Sequence, residues 1–447
     1  MLAAILIAST GVKFALFLSA GRIMFGGDEK QYLAAAVSIV EQGIPIYRTP
    51  VWDEAHASPL IPYFLAACYR VFGAESFADC ARSIQILLSG VSVWLLYLIA
   101  RRFLDRRTAL LSAGVAAFYP ALIGFSHFFY SETIYIFLVL ACAAVLIRRK
   151  AELGWGAAFA AGLLGGFASL TRSVFVMQMP FVILWIWFAA RCCAWSRRIA
   201  VCAAFAVGMA LVITPWTIRN TLRYGHFMLI DSNGGNVLYK NWNALKPENH
   251  DYGLTTRWRI EEVAYVGRIP LRARSAEENI AVRNSAEIHA ALAFVLRYPG
   301  RFLRNCGIRA VELFNPTSFV VRKVRFNGYK RLTPFWRETI VYANLCSAMA
   351  VMLFGIFGIV SRRLSLASAL ALLLIVANTA ICILIISGSR YRLPMMPLLI
   401  PFAADGFLRM PELLMFRHHG KTWIAALPLI AFVVCCWVVY VPYSFPN

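Results

Sequence analysis

The run GGDEKQY, residues 26–32, follows directly on the first apolar segment of the chain. It places two adjacent carboxylates, Asp28 and Glu29, where an apolar helix would leave a membrane. An ionisable side chain at that position is costly unless it is paired or used, so the run indicates either a helix start or a functional site. Which interpretation applies depends on the other polar residues that lie on the same side of the membrane.

Composition indicates a polytopic membrane protein. Of the 447 residues, 60% are hydrophobic and 15% are charged, against roughly half and a quarter in soluble domains. The formal charge of +22 does not indicate nucleic-acid binding, because Lys and Arg form short clusters between apolar runs and so fit membrane loops and lipid headgroups. The 11 cysteines show no spacing typical of a zinc site or a disulfide framework.

Apolar runs of spanning length predict an all-α fold with about eleven transmembrane helices. The predicted spans are 3–24, 82–100, 108–127, 131–147, 155–170, 173–190, 199–215, 339–360, 364–386, 393–409 and 422–441. We therefore expect an N-terminal transmembrane module at 1–215 with an outer loop at 25–81, a large outer loop at 216–338, and C-terminal helices at 339–447.

Charge asymmetry between the loops predicts the orientation. If the N-terminus is cytoplasmic, the short loops on that side carry most of the Arg and Lys residues, and the opposite short loops carry only Arg172, Arg390 and Arg392. Both long loops then face outward, which in a bacterial inner-membrane protein means the periplasm. Since the N-terminal segment has no basic leader and no cleavage motif, we expect it to remain as the first helix.

Polar residues from many separate loops share the predicted outer face, together with aromatic neighbours. These candidates are Asp28, Glu29, Tyr32, His56, Glu132, Arg172, Arg219, Asn220, Asn233, Asn236, Arg390, Tyr391 and Arg392. Such convergence predicts a site at the outer membrane interface.

The acidic residues have a structural and a functional interpretation. Asp28 is a good N-cap with Gln31 in capping-box position, but capping accounts for one carboxylate and not for two. The functional hypothesis makes Asp28 a general base, with Glu29 orienting it or binding sugar, and either of the two could be the base. Glu132 suits the positive end of a helix or faces the same cavity.

The arginines suit an anionic ligand, because the planar guanidinium binds phosphate through two donors. Arg390 and Arg392, on either side of Tyr391, predict a donor-phosphate site, with Arg172 and Arg219 as support. Interfacial arginines also extend toward lipid headgroups, and this alternative applies to each of them singly.

The remaining candidates would line the rim of the site. Asn220, Asn233 and Asn236 could bind sugar hydroxyls, or they could belong to plain turns. His56 is the only histidine in 25–81, and Tyr32 lies one turn after Asp28, so both are candidates for substrate contact.

Seven motifs follow one another in a recognisable order. They are the acidic run 26–32, PLIPY at 59–63, SET at 131–133, LTR at 170–172, PWTIRN at 215–220, NGGN at 233–236 and RYRLPMMP at 390–397. In this order they resemble the GT-C glycosyltransferases of the protein O-mannosyltransferase and lipid A aminoarabinose transferase type.

The resemblance implies a GT-C fold and inverting transfer of a sugar from a polyprenyl-phosphate carrier to a glycolipid, polysaccharide or protein at the outer membrane face. It implies that Asp28 is the base and that Arg390, Arg392 and Arg219 bind the carrier phosphate. Where the aminoarabinose enzymes carry a Lys-Pro-Pro pattern, this chain has DEAH at 53–56, which leaves the donor sugar open.

Two other functions stay open. A flippase or transporter would place ionisable residues near the midplane in both halves of the chain, where this sequence has only Lys13. A glycan ligase would use a diphosphate carrier. Neither a P-loop nor Rossmann glycines are found, so no nucleotide cofactor is expected. A divalent metal could be held by the carboxylates at 28, 29 and 132.

Overall fold

The computed structural model describes residues 1–20, 27–48, 54–147, 153–191, 193–243, 279–325, 333–413 and 416–444. Within these ranges every regular element is helical, which confirms the predicted all-α fold. The helices are α1 (Leu2–Ala20), α2 (Asp28–Gln42), α3 (Leu60–Ala100), α4 (Arg106–Ala117), α5 (Pro120–His127), α6 (Glu132–Leu146), α7 (Trp155–Thr171), α8 (Val174–Ala189), α9 (Trp195–Tyr224), α10 (Asn233–Asn243), α11 (Ile280–Arg297), α12 (Pro299–Phe314), α13 (Phe319–Arg325), α14 (Pro334–Val360), α15 (Leu366–Leu384), α16 (Ser389–Arg392), a 3-10 turn (Leu393–Met395), α17 (Met396–Leu408), α18 (Met410–Leu413) and α19 (Phe416–Ser444).

Several helices are long and apolar enough to cross a membrane. Among the described residues these are α1, α3, α9, α14 and α15, and the pair α4–α5, bent by 48°, would make a sixth. Shorter apolar helices are α6, α7, α8 and Thr422–Val438 within α19. The chain is therefore an integral membrane protein, whereas a count of eleven spans stays a prediction.

Two helices extend beyond the predicted spans. α3 begins at Leu60, well before the span predicted from 82, and is interrupted only at Gly73, whose φ of 75° is accessible to glycine at no steric cost. α9 continues through Pro215 to Tyr224, past the predicted end at 215, and ends at the left-handed Gly225. Helical structure therefore continues into the predicted outer segments 25–81 and 216–338, whose bounds stay a prediction, because apolar periodicity does not distinguish a span from its helical extension.

Glycines allow two pairs of helices to pack at backbone contact. In the α7–α9 pair, a Cβ on Gly162 would overlap the carbonyl of Phe205, and one on Gly208 would overlap that of Phe159. Likewise, a Cβ on Gly358 of α14 would overlap the backbone of α17. Small residues permit this close approach in membrane helices. The two pairs form a firm frame beneath the polar end of the bundle.

Elements distant in sequence meet at that polar end. They are the N-terminus of α2, the N-terminus of α6, the hairpin between α7 and α8, and the single turn α16, and ion pairs join them. The hairpin, at Arg172 and Ser173, lies where the sequence predicted one.

We expect Gly162→Ala to lower the free energy of unfolding by about 1–3 kcal/mol, because the added methyl group meets the carbonyl of Phe205. Thermal unfolding of the detergent-purified protein measures this loss. Gly156→Ala on the same helix is the matched control, since nothing lies within 4 Å of its Cβ position. The control should leave the midpoint unchanged or slightly raised. Equal midpoints for the two variants would contradict the close approach of α7 and α9.

Candidate functional site

Arg390 lies at the centre of a chain of four charged side chains. Its Nε donates to Oε1 of Glu132, and its Nη1 donates to Oδ2 of Asp28 over 2.8 Å. Nη1 of Arg172 donates to the same Oε1 of Glu132 over 2.6 Å. Four residues predicted from separate loops are thus joined in the order Asp28–Arg390–Glu132–Arg172.

These four side chains differ in their access to solvent. The Glu132 side chain is 0% exposed and that of Arg390 is 17% exposed, whereas that of Asp28 is 36% exposed. Burial alone would lower the pKa of Arg390, but the carboxylates of Glu132 and Asp28 outweigh it and hold that pKa well above its usual value. Arg390 is therefore a permanent, largely buried cation, and its neighbour Asp28 is half-exposed.

The start of α2 leaves the Asp28 carboxylate free to reach Arg390. Gly27, with φ 75°, is the N-cap, and Asp28 is the first helical residue. Oε1 of Gln31 accepts from the amide of Arg48 over 2.7 Å instead of completing a capping box. The N-cap interpretation of Asp28 is therefore wrong, and the backbone of α2 does not account for this carboxylate.

Glu29 points into the protein, away from the position of Asp28. Its side chain is 2% exposed, its Oε1 accepts from the amide of Phe129 over 3.0 Å, and its Oε2 lies 3.9 Å from Nζ of Lys323. Burial raises the pKa of Glu29 to about 7, against the opposing effects of the Phe129 amide and of the nearby cations. Glu29 thus fastens the acidic loop to the segment before α6 and to α13.

Aromatic rings lie against the cations of the cluster. The guanidinium of Arg390 lies 4.2 Å from the centre of the Tyr130 ring, and that of Arg172 lies 5.2 Å from the Tyr391 ring. Nζ of Lys323 is 5.9 Å from the Tyr130 ring. Such contacts strengthen when water is excluded. Burial also raises the pKa of Tyr32, chiefly by disfavouring the phenolate, so its hydroxyl is neutral.

Two residues of this cluster were missed by sequence analysis. Tyr130 directly precedes the SET motif and shows only as one more aromatic residue among many. Lys323 lies in the run FVVRKVR of α13, inside a segment rich in basic residues where no single cation stands out. Only the meeting of α13 with α2 identifies it.

The predicted rim residues form a second group beside the cluster. Arg219 pairs with Glu54, as does Arg223 over 2.9 Å, and Nδ2 of Asn220 donates to the carbonyl of Ile230 over 3.0 Å. His56 is buried in the same loop.

Asn233 and Asn236 pair with each other over 3.1 Å at the start of α10. Ser58 links the second group to the hairpin of Arg172, since its hydroxyl donates to Asp231 over 2.9 Å and accepts from the amide of Ser173 over 3.3 Å. In the described structure these contacts join loops to one another, and the role of the rim residues in binding sugar stays a prediction.

Arg392 faces away from the carboxylates. Its guanidinium is buried and donates to the carbonyls of Leu313, at 2.9 Å, Asn315, and Thr317, at 3.4 Å. These carbonyls belong to the last turn of α12 and to the residues that follow it. Arg390 and Arg392, which the sequence grouped together as phosphate ligands, are two residues apart in one helix and therefore point in nearly opposite directions.

The described carboxylates of the cluster are engaged by cationic side chains, and a divalent metal held by them stays a prediction. Asp28 and Glu132 already face Arg390, and Glu29 faces Lys323. A cation placed among them would meet these positive charges as well as the carboxylates. Among the described residues, no three His, Cys, Asp or Glu side chains are grouped as metal ligands.

We expect the stability of the wild type to fall relative to Glu29→Gln as the pH rises from about 4.5 to about 7. In this range the unfolded glutamate is ionised while the buried one holds its proton, because its pKa is raised from 4.5 to about 7. The difference corresponds to roughly 3 kcal/mol. Thermal unfolding across the pH range measures it. Glu75→Gln, at an exposed position, should follow the wild type, and parallel curves for all three proteins would contradict the effect of burial.

We expect Arg392→Lys to lower the unfolding midpoint by several degrees, since one ammonium cannot serve three carbonyls in the geometry that a guanidinium reaches. The measurement is thermal unfolding in detergent. Arg363→Lys is the control, because Arg363 is exposed at the other end of the bundle. A midpoint equal to that of the control would contradict the structural part of Arg392.

Comparison with known proteins identifies structures with a similar fold. A family model described as dolichyl-phosphate-mannose-protein mannosyltransferase matches residues 55–218. The oligosaccharyltransferase AglB from Archaeoglobus fulgidus, solved with an inhibitory peptide and a dolichol-phosphate, aligns with TM-score 0.54 and 14% identity over 100% of this chain and 56% of that one. The apo form of the same enzyme aligns with TM-score 0.54 over 100% and 57% of the two chains. The chain thus spans little more than half the length of these structures.

ArnT from Cupriavidus metallidurans, bound to undecaprenyl phosphate, aligns less closely, with TM-score 0.42 and 16% identity over 90% of this chain and 76% of that one. No curated protein matches the chain. The all-helical bundle, its apolar spans and the archaeal alignment together confirm the predicted all-α membrane fold: the chain shares the fold of the archaeal oligosaccharyltransferase, a fold of the kind that the sequence resemblance implied.

Proposed function

We propose that this protein is an inverting glycosyltransferase that moves a sugar from a polyprenyl-phosphate carrier to a hydroxyl acceptor at the outer face of the membrane. The observation that carries the proposal is the accessible carboxylate of Asp28, which is held beside the largely buried guanidinium of Arg390 at the polar end of a GT-C fold. A base next to a fixed cation is what displacement of a phosphate leaving group requires.

Accessibility supports Asp28 as the base. The side chains of Glu29 and Glu132 are 2% and 0% exposed, against 36% for Asp28. A general base must come within hydrogen-bond distance of the proton that it removes. Only Asp28 of the three offers an oxygen that an acceptor hydroxyl can approach from outside. Glu29 and Glu132 support the site from within.

One base is enough for the proposed reaction. The acceptor oxygen attacks the anomeric carbon from the side opposite the phosphate, and its proton passes to Asp28. The bond from the anomeric carbon to the phosphate oxygen breaks with both electrons leaving on polyprenyl phosphate, so the configuration inverts. A retaining enzyme would need a second carboxylate as nucleophile, and Glu29 and Glu132 are sealed from that position.

The cations of the cluster suit the leaving group. Arg390 is oriented by Glu132, and Arg172 and Lys323 lie around it behind Tyr130 and Tyr391. Preoriented cations in a water-poor site stabilise charge that develops on a leaving oxygen. AglB, whose fold this chain shares, was solved with a dolichol-phosphate. This supports a lipid-phosphate donor for the present chain, with a hexose or pentose as the transferred group.

Loop charges support a reaction on the outer side. In the short loops the basic residues concentrate on the side opposite the cluster, which supports a cytoplasmic N-terminus and a site in the periplasm of a bacterial inner membrane. The acceptor would then be a glycolipid, a surface polysaccharide or a protein of that compartment. No nucleotide is needed there, because the lipid phosphate itself is the leaving group.

A transporter fits the described residues less well. Ionisable side chains of a transport path would lie near the midplane in both halves of the chain. Here the cluster of four lies at one end of the bundle, and the Lys13 ammonium, buried in α1, donates to the hydroxyl of Ser89 over 2.9 Å.

The test is consumption of a synthetic short-chain polyprenyl-phosphate sugar by the purified protein, with glycolipid and peptide acceptors supplied. Wild type should release polyprenyl phosphate, and Asp28→Asn should be slower by about a hundredfold or more, as loss of a general base requires. Asp79→Asn, a conservative change at a half-exposed aspartate of α3, is the matched control and should keep the activity.

Two results would overturn the proposal. Equal rates for wild type and Asp28→Asn would exclude the base. Consumption of a diphosphate-linked donor, with no consumption of any monophosphate donor across a panel of sugars, would make the protein a glycan ligase instead.

A further inference from the structure

The proposed base and the proposed phosphate ligand are bound to each other. Nη1 of Arg390 lies 2.8 Å from Oδ2 of Asp28. A carboxylate whose oxygen accepts from a guanidinium is a poorer base toward a hydroxyl, and a guanidinium occupied by a carboxylate has fewer donors to offer a phosphate. The arrangement described here is therefore not the one in which sugar transfer would take place.

The two contacts of Arg390 are unequal. Its Nε is bound to Glu132, whose side chain is 0% exposed and is itself held by Arg172. Its Nη1 reaches Asp28, whose side chain is 36% exposed at the start of α2. One contact is thus buried and held from two sides, whereas the other is open to an incoming ligand.

Building on the proposed function, we propose that the carrier phosphate displaces Asp28 from the Nη atoms of Arg390, while Glu132 keeps hold of Nε. Glu132 is then a positioning residue that acts through Arg390 and does not touch the substrate. The release of Asp28 is the event that makes it available as a base. The donor must therefore bind before the acceptor can be deprotonated.

The exchange follows from the charges involved. A phosphate presents several oxygens to the fork of an arginine and makes strong charge-assisted hydrogen bonds. Two anions on neighbouring Nη atoms would repel each other at close range. The more weakly held of the two, the exposed carboxylate, is the one that leaves. Glu132 stays, because leaving would strand a buried charge.

The mechanism predicts that removal of the base charge improves carrier binding. We expect Asp28→Asn to bind geranylgeranyl phosphate about tenfold more tightly than wild type, since the amide no longer competes for the charged donors of Arg390. Glu132→Ala should bind it about tenfold more weakly. Glu132→Gln, which keeps an oxygen to accept from Nε, should lie between wild type and Glu132→Ala. The measurement is calorimetric titration of the full-length protein in detergent.

Asp79→Asn is the matched control. It removes a half-exposed carboxylate of α3, whose bond goes to Arg82 and not to a cation of the cluster, and so its affinity should stay within about twofold of wild type. Equal tightening in Asp28→Asn and Asp79→Asn would mean that only the overall charge of the protein matters, and it would overturn the exchange.

The remaining outcomes are equally decisive. Unchanged or weaker binding by Asp28→Asn overturns the exchange but leaves the transferase proposal intact, because wild type still binds the carrier. If none of the proteins binds geranylgeranyl phosphate, a polyprenyl-phosphate carrier is excluded, and this overturns both the exchange and the transferase proposal. If Glu132→Ala fails to fold, the conservative pair Asp28→Asn and Asp79→Asn still decides, with a thermal midpoint near that of wild type as the check on folding.

Discussion

The fully buried carboxylate of Glu132 sets the constraint on which the polar end of this protein depends. A lone ionised carboxylate at that depth would cost several kcal/mol, so the fold must supply cations to it. It does so from two separate places, with Arg172 from the hairpin between α7 and α8 and Arg390 from α16. Each of these elements is thereby fixed against the start of α6. Asp28, bound at the far end of Arg390, is placed by the same constraint.

Beneath this polar end the helices are held by shape rather than by charge. Because lipid provides no hydrophobic driving force for two apolar helices to associate, their association depends on close packing. The glycine contacts between α7 and α9 and between α14 and α17 give that packing, and both pairs lead toward elements of the cluster. α7 ends at the hairpin of Arg172, and α17 follows the turn that carries Arg390. A firm apolar frame thus sets the spacing of the charges.

Much of the cluster could be predicted, because charge bias alone assigns loops to one side of the membrane. Asp28, Glu132, Arg172 and Arg390 were named in this way, and they meet. The difference between Glu29 and Asp28 could not be predicted, because neighbouring residues on a helix face different surroundings that only tertiary packing reveals. Lys323 was missed for a related reason: one cation in a basic segment carries no signal until its partner is known. The extensions of α3 and α9 beyond the predicted spans were not predicted either, since an apolar run indicates which residues lie in the membrane and not how far the helix continues.

The single turn α16 has a consequence for how this sequence can vary. Arg390 points to the carboxylates and Arg392 to the carbonyls at the end of α12, and a rotation of about 100° per residue separates successive side chains. An insertion or deletion of one residue in this turn would rotate both arginines out of register with their partners. It would leave carboxylates on one side and carbonyls on the other without a donor, even though the composition of the segment barely changed. The length of this turn is therefore as constrained as the identity of its two arginines.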